Sequence, residues 1–434
     1  MSPTFRALRV RNFRLYALGG VISNTGTWMQ RVAQDWLVLQ LFATSAAGAS
    51  TALGVTTGLQ FLPILLLSPY AGVVADLMPK RRLLILTQLW MGTSSLALGA
   101  LAIIGHLQPW LVFALVFVFG IGAAFDAPAR QAFVSEMVAG DDLSNAVGLN
   151  SASFNLARLV GPAVAGLLIA VFGGGVVASG VVILLNGLSY LAVIMALRAM
   201  DTRSLTPVPV TKPDTGMIRD GVAYVWHRPD LMLILTAAFF AGTFGMNYQM
   251  TSALMATQVY HMGAGEYGLL GTTLAVGSLT GALLSARRAG RPRLKLVVLA
   301  GLAFGLIEIA LGLMPSYLTF ALVSPLLGLS LLIMLNAANT TVQLSVHPMI
   351  RGRVMALYLM VVMGGTPLGA PLIGWIGATF GARWTLIAGG GVTVLGVALA
   401  VMLFHGLGRR GPLVTSRLPE GERFTAPVAA TVVG

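Results

Sequence analysis

Apolar residues along this chain neither alternate nor recur once per helical turn; they run on in long blocks divided by short polar breaks. A bilayer core about 30 Å thick is crossed by roughly twenty helical residues, so each block reads as a membrane-spanning helix. The blocks predict spans over 13–41, 47–74, 83–105, 110–132, 145–172, 176–198, 231–259, 266–286, 294–314, 317–344, 354–380 and 384–405, twelve in all. Barrel strands would alternate over about ten residues, whereas these runs are continuous, longer and rich in Leu, Ala and Met. The expected fold class is therefore an all-α membrane protein.

The polar breaks carry an orientation signal. With the N-terminus cytoplasmic, every second loop is cytoplasmic, and these loops hold Lys80, Arg81, Arg82, Arg198, Arg203, Lys212, Arg219, Arg228, Arg287, Arg288, Arg291, Arg293, Lys295, Arg351 and Arg353. Arg409, Arg410, Arg417 and Arg423 follow the last span, and only Arg383 falls on the other side. Positive charge gathers on the cytoplasmic side of membrane proteins, so both termini are expected there, in the plasma (inner) membrane. Arg6, Arg9, Arg11 and Arg14 precede the first span without a small-residue cleavage site, and this segment is expected to stay on the mature protein.

Composition sharpens the class. Hydrophobic residues make up 56% and charged residues 9% of the 434, far from the roughly 25% charged residues of soluble domains. The net charge of +13 would suggest nucleic acid if it formed a patch, but spread over loops it serves orientation, and nucleic acid is excluded as a partner. With no cysteine the chain has no disulfide framework, zinc–cysteine site or thiol chemistry. Five histidines at span ends or in loops make no relay and no metal cluster, and no phosphate-cradling G-x-x-x-x-G-K-S/T loop occurs. No cofactor or metal is expected.

The longest break, 199–230, contains Pro207, Pro209 and Pro213 and divides the spans six and six. It reads as a cytoplasmic linker whose second part, Met217 to Trp226, can form a short amphipathic helix. The expected organisation is an N-terminal bundle over 1–198, the linker, a C-terminal bundle over 231–405 and a tail over 406–434. The halves echo each other: Gly161, Gly166, Phe172 and Gly173 recur about 208 residues later as Gly369, Gly374, Phe380 and Gly381. Parallel six-helix repeats with a site near the midplane between them describe the major facilitator fold.

Three local patterns carry a resemblance to that superfamily. Gly72, Asp76 and Lys80-Arg81-Arg82 resemble its G-x-x-x-D-R-x-G-R-R/K gating signature, with Leu77 and Pro79 in place of the expected arginine and glycine. Gly161, Pro162 and Gly166 in span five resemble the G-x-x-x-G-P-x-x-G-G pattern of the family's exporters. The run from Asn12 to Trp36, with Pro128 to Ala132, is similar to the enterobactin-exporter-like branch, grouped as transmembrane secretion effectors. The resemblance implies twelve helices in two pseudo-symmetric six-helix bundles and export of drugs, siderophores or secondary metabolites. The family's span-four arginine is absent, Val116 standing in its place.

An ionisable group at the centre of a span needs a partner, a wet cavity or a function. Asn24, Trp28, Arg31 and Asp35 share one face of span one, expected to line the central cavity, with Gln34 beside them. Arg31 and Asp35, four residues apart, can pair permanently; alternatively Asp35 couples transport to protons. Ser151, Asn155, Arg158 and Pro162 stripe span five, making Arg158 a candidate counter-ion for Asp35 or for an anionic substrate group. Asp126 and Arg130 are either a pair at the inner end of span four or part of the coupling. Glu308 in span nine is a coupling candidate or a packing residue. Asn247, Asn336, Asn339 and Gln343 complete the candidate cavity.

These features lead to a secondary active transporter, not an enzyme: a proton-coupled exporter (antiporter) working by alternating access, whose partners are a small organic substrate, the proton and the bilayer, with the chain expected to act as a monomer. A proton-coupled nutrient importer uses the same fold and is the alternative. A polytopic membrane enzyme would need clustered acid, base or nucleophile residues at one membrane face, and no such set is present.

Overall fold

The computed structural model describes residues 3–138, 140–206, 217–287, 294–346 and 348–408, and among these there is helix and no strand. Lys212, Arg288, Arg291, Arg293, the prolines of the expected linker and the tail beyond 408 lie outside the described residues. The helices are α1 (Arg11–Leu41), α2 (Ala46–Leu77), α3 (Lys80–Ile103), α4 (Pro109–Met137), α5 (Leu143–Val171), α6 (Val176–Arg198), α7 (Met217–Trp226), α8 (Pro229–Phe240), α9 (Tyr248–Leu254), α10 (Ala264–Arg287), α11 (Leu294–Leu313), α12 (Tyr317–Ser345), α13 (Pro348–Gly364), α14 (Thr366–Phe380) and α15 (Ala382–Gly408). Among the described residues eleven segments are long and apolar enough to cross a membrane; α1, although 31 residues long, is not among them, because Arg14, Arg31, Asp35 and several amides dilute its apolar surface.

Local chemistry sets the ends. Ser45 caps α2 by accepting the Gly48 N–H at 3.0 Å, and Ser316 with Thr319 forms a capping box that opens α12. Pro109 and Pro229 stand in the first turns of α4 and α8, where a missing N–H costs nothing. The turn from α5 to α6 runs through Gly173 and Gly174 at φ of 94° and 73°, where a side chain would be strained; there Trp36 Nε1 donates to the Gly174 carbonyl at 2.6 Å.

Two of the expected spans are interrupted. Between α8 and α9, and again after α9, the chain widens into π-helical turns at Ala241–Gly245 and Met255–Val259. Span eleven breaks at Gly365, because Pro367 in the next turn has no N–H for the Met363 carbonyl. Neither break is visible in a pattern of apolar residues, since the apolar run continues through both.

The helices pack in two groups. In the first, α1 lies on α5 and α6, α3 on α4 and α6, and α2 on α4; in the second, α10 and α11 lie on α12, and α8, α11 and α14 on α15. The groups meet through α2 with α14 and α5 with α10. These contacts bring backbone against backbone: a Cβ at Gly54 would stand 2.6 Å from the Ala370 carbonyl oxygen, one at Gly374 2.7 Å from that of Ser50, and one at Gly166 2.5 Å from that of Ala264. Small residues allow such approach where lipid provides no hydrophobic drive between helices. Hydrogen bonds from Gln258 to Ala46 and from Thr272 to Leu159 also join the groups.

The expected amphipathic helix is α7. It lies on α13 and α8 with Val222 and Trp226 exposed, and Tyr224 accepts from Arg228 at 3.1 Å. At the opposite end from the glycine contacts, Lys80 opens α3 and meets Glu136 of α4 at 2.9 Å, both side chains only 7% exposed.

Two outcomes follow. Removing one partner of a buried pair strands the other charge at a cost of about 3–5 kcal/mol, so Lys80→Met lowers thermal stability in detergent strongly, and the double variant Lys80→Met/Glu136→Leu recovers much of it. Gly166→Leu forces α5 and α10 apart; a single cysteine placed at Ser50 or Thr272 of this cysteine-free chain then reacts faster with an impermeant maleimide, and an unchanged rate would deny that the glycine contact seals that end.

Candidate functional site

Polar side chains at mid-depth of α1, α2, α5 and α10 form the candidate site, and the span-five motif holds it together. Gly161 faces α1, where a Cβ would stand 2.6 Å from Trp28 Cβ, so only glycine lets α5 come this near. Pro162 and Gly166 face α10 instead; a Cβ at Gly271 would stand 2.8 Å from the Pro162 side chain. One short motif therefore packs α5 on its own group and across to the other.

One turn before Gly161, Arg158 extends over Trp28 with its guanidinium carbon 5.5 Å from the indole centroid. Arg31 reaches the same ring at 4.6 Å and Phe61 at 5.4 Å, while Phe154 meets Trp28 edge-on at 5.8 Å. Neither arginine has an ion-pair or hydrogen-bond partner among the described residues. A cation near a helix centre costs about 2.5–3.5 kcal/mol on insertion scales. A cation–π contact contributes about 0.5–2 kcal/mol, so the aromatic ring offsets only part of the cost.

Of the two readings of Arg31 and Asp35, the permanent pair is not formed among the described residues. Asp35, 5% exposed, instead accepts from the Tyr267 hydroxyl of α10 at 2.8 Å, and Gln249 Nε2 donates to that hydroxyl at 3.0 Å. Trp36 stacks on Tyr267 at 6.3 Å beside it. The carboxylate is thereby turned away from the open face where Arg31 stands and into the contact between the two helix groups. Arg158 is likewise not its counter-ion.

Other candidates separate from this cluster. Asp126 is saturated by Arg130 at 2.8 Å, Thr87 at 2.8 Å and Gln88 at 2.7 Å, a lock between α3 and α4. Glu308 is fully buried among α11, α15 and the π-helical turn near Gly245 and Gly389, and neither carboxylate oxygen has a partner among the described residues. An ionised group there would lack any compensation. Gln34 donates to Gln60 at 3.1 Å and ties α1 to α2. Asn247, 2% exposed, turns back onto the Thr243 and Phe244 carbonyls of the π-helical turn and does not reach a cavity. Asn155 donates to Ser151 of its own helix; Asn24 and Asn336 are half-buried, and Asn339 accepts from Gln343 at 2.6 Å on α12.

In the gating signature, Lys80 is paired as described and Arg81 Nε donates to the Leu197 carbonyl at 2.6 Å, closing α3 onto the end of α6. Asp76 and Arg82 are exposed, and Gly72 has open space where a Cβ would be. Arg383, the exception to the charge asymmetry, donates to the Gly312 and Met314 carbonyls that end α11, at 2.9 and 2.8 Å.

Sequence reading missed Tyr267, Glu136, Thr87, Gln88 and Gln60. Glu136 carried one signal, as one of only fourteen acidic residues in the chain, near the end of a span. Tyr267 carried none, because its role depends on which helix lies opposite.

Comparison with known proteins identifies the family and the fold. The family described as transmembrane secretion effector matches residues 2–411. The staphyloferrin A transporter of Staphylococcus aureus is 29% identical over 151 residues, 34% of this chain and 36% of that protein. The multidrug efflux pump Tap of Mycolicibacterium fortuitum is 26% identical over 383 residues, 86% of this chain and 91% of that protein. In fold, the chain is similar to a bacterial homologue of the human lysosomal transporter Spinster, solved inward-facing and unoccupied, at a TM-score of 0.69 and 16% identity over 94% of this chain and 98% of that one. Matched along nearly all of its length, the chain belongs to the transmembrane secretion effectors of the major facilitator superfamily, multi-pass membrane transporters and not enzymes.

Proposed function

We propose that this chain is a proton-coupled exporter of small organic molecules in the plasma membrane, driven by an inward proton gradient and working by alternating access. In this reading α1 is the twelfth span, held inside the bundle by its polar face, and two six-helix halves over 1–198 and 231–405 are joined by the segment 199–230. Both termini are cytoplasmic by the distribution of lysine and arginine. The repeat supports the paired halves: Gly161 packs on α1 and Gly166 on α10, while Gly369 packs on the turn after α8 and Gly374 on α2. Corresponding glycines thus touch corresponding helices. With this topology the glycine contacts close the outer end, and the chain stands inward-facing.

The observation that carries the reading is the Tyr267–Asp35 hydrogen bond, which places a carboxylate at the closed contact between the two helix groups. Parting the halves at the outer end breaks this bond and opens Asp35 to outside water, where it takes a proton. As a neutral acid it returns to the buried position at far smaller cost. Release of the proton inward restores the carboxylate, whose charge-assisted hydrogen bond from Tyr267 favours the outer-closed state again. Similarity to a staphyloferrin A transporter and to a multidrug efflux pump supports export of siderophores or drugs.

The test is transport in proteoliposomes with an imposed pH gradient and a panel of dyes, drugs and siderophores. Asp35→Asn is expected to abolish gradient-driven efflux while sparing binding, and efflux equal to wild type removes Asp35 from the mechanism. Tyr267→Phe takes away one hydrogen bond to a charged group, worth about 1.5–3 kcal/mol, and is expected to slow efflux roughly tenfold or more while leaving gradient dependence in place. Accumulation with the gradient instead of against it identifies the importer.

A further inference from the structure

We propose that Trp28, Arg31 and Arg158 dock an anionic group of the substrate, a carboxylate carried on an apolar or aromatic body. The inference deepens the export reading and rests on it only for the claim that the bound anion is carried. Two guanidinium groups from different helices lean on one indole, and neither forms an ion pair with a carboxylate among the described residues. The nearest acid along α1, Asp35, is engaged with Tyr267 in the contact between the helix groups. The other buried acids in the first six helices, Asp126 and Glu136, are committed to Arg130 and Lys80.

Burial separates these arginines from packing residues. Both are half-buried, and none of their guanidinium nitrogens is among the fully buried unpartnered polar atoms of the described residues. An arginine presents a planar fork that matches a carboxylate with two parallel hydrogen bonds. Trp28, Phe61 and Phe154 supply an apolar wall beside it, suited to the body of such a molecule. Gly161 fixes the spacing, since the α5 backbone at that residue sets how near Arg158 comes to Trp28.

Matched probes test the charge directly. Binding of 1-naphthylacetate and dansylglycine to the purified full chain is compared, by equilibrium dialysis, with that of their uncharged carboxamides. The carboxylates are expected to bind about tenfold tighter, a difference of about 1.4 kcal/mol, and Arg31→Gln and Arg158→Gln each erase the preference. Arg31→Lys and Arg158→Lys, which keep the charge and the fold, are expected to retain part of it. No binding of the carboxylates, equal binding of acid and amide, or a preference that survives both glutamine substitutions overturns the proposal. Carboxylates that bind with this preference but are not moved by a proton gradient uphold the site and count against export. Uncharged compounds exported by wild-type protein that shows no carboxylate preference uphold export and remove the site.

Discussion

Backbone contact between α2 and α14 and between α5 and α10 is the constraint on which the arrangement depends. Side chains between these helices would hold them apart; glycine at 54, 166 and 374 lets them touch. In lipid no hydrophobic force presses helices together, so association rests on van der Waals packing and on polar contacts made at short range. The closeness of α5 to α10 in turn brings Tyr267 within hydrogen-bond reach of Asp35. The geometry of the candidate site is thus a consequence of small residues at positions that carry no chemistry themselves.

Charges within the helices and at their ends divide by how completely they are satisfied. Asp126 with Arg130, Thr87 and Gln88, and Lys80 with Glu136, are closed sets in which every charge has a partner, and they hold α3 and α4 together. Arg383 and Arg81 end on main-chain carbonyls. Among the described residues Arg31, Arg158 and Glu308 remain outside any such set, and Asp35 accepts from the Tyr267 hydroxyl across the contact between the groups. Closed sets belong to stability, whereas incompletely satisfied charges are costly unless another molecule or a proton completes them. This contrast, not the mere presence of charge in a span, separates scaffold from site.

Much was legible before any coordinate. The helical class, the span boundaries to within a few residues at most ends, and the amphipathic helix at Met217–Trp226 follow from apolar run length and polar breaks. The span-five motif was legible as small residues around a proline, and the family resemblance followed from it and from the run in α1. Two interruptions were not legible, since Gly242, Gly245 and Gly364 sit in apolar stretches that read as unbroken helix. The Arg31–Asp35 pairing looked natural at four-residue spacing, yet the stronger partner for Asp35 lay 232 residues away.

Sequence by itself determined that this chain lives in a bilayer as long helices, because apolar run length answers to bilayer thickness residue by residue and needs no knowledge of neighbours. Periodicity also placed Trp28, Arg31 and Asp35 on one face of one helix. Only the tertiary structure decided that this face divides, with Arg31 joining Arg158 over Trp28 and Asp35 turning to Tyr267. Such pairings depend on which helices lie side by side and how closely they approach. That is settled by packing over the whole assembly and leaves no local trace along the chain.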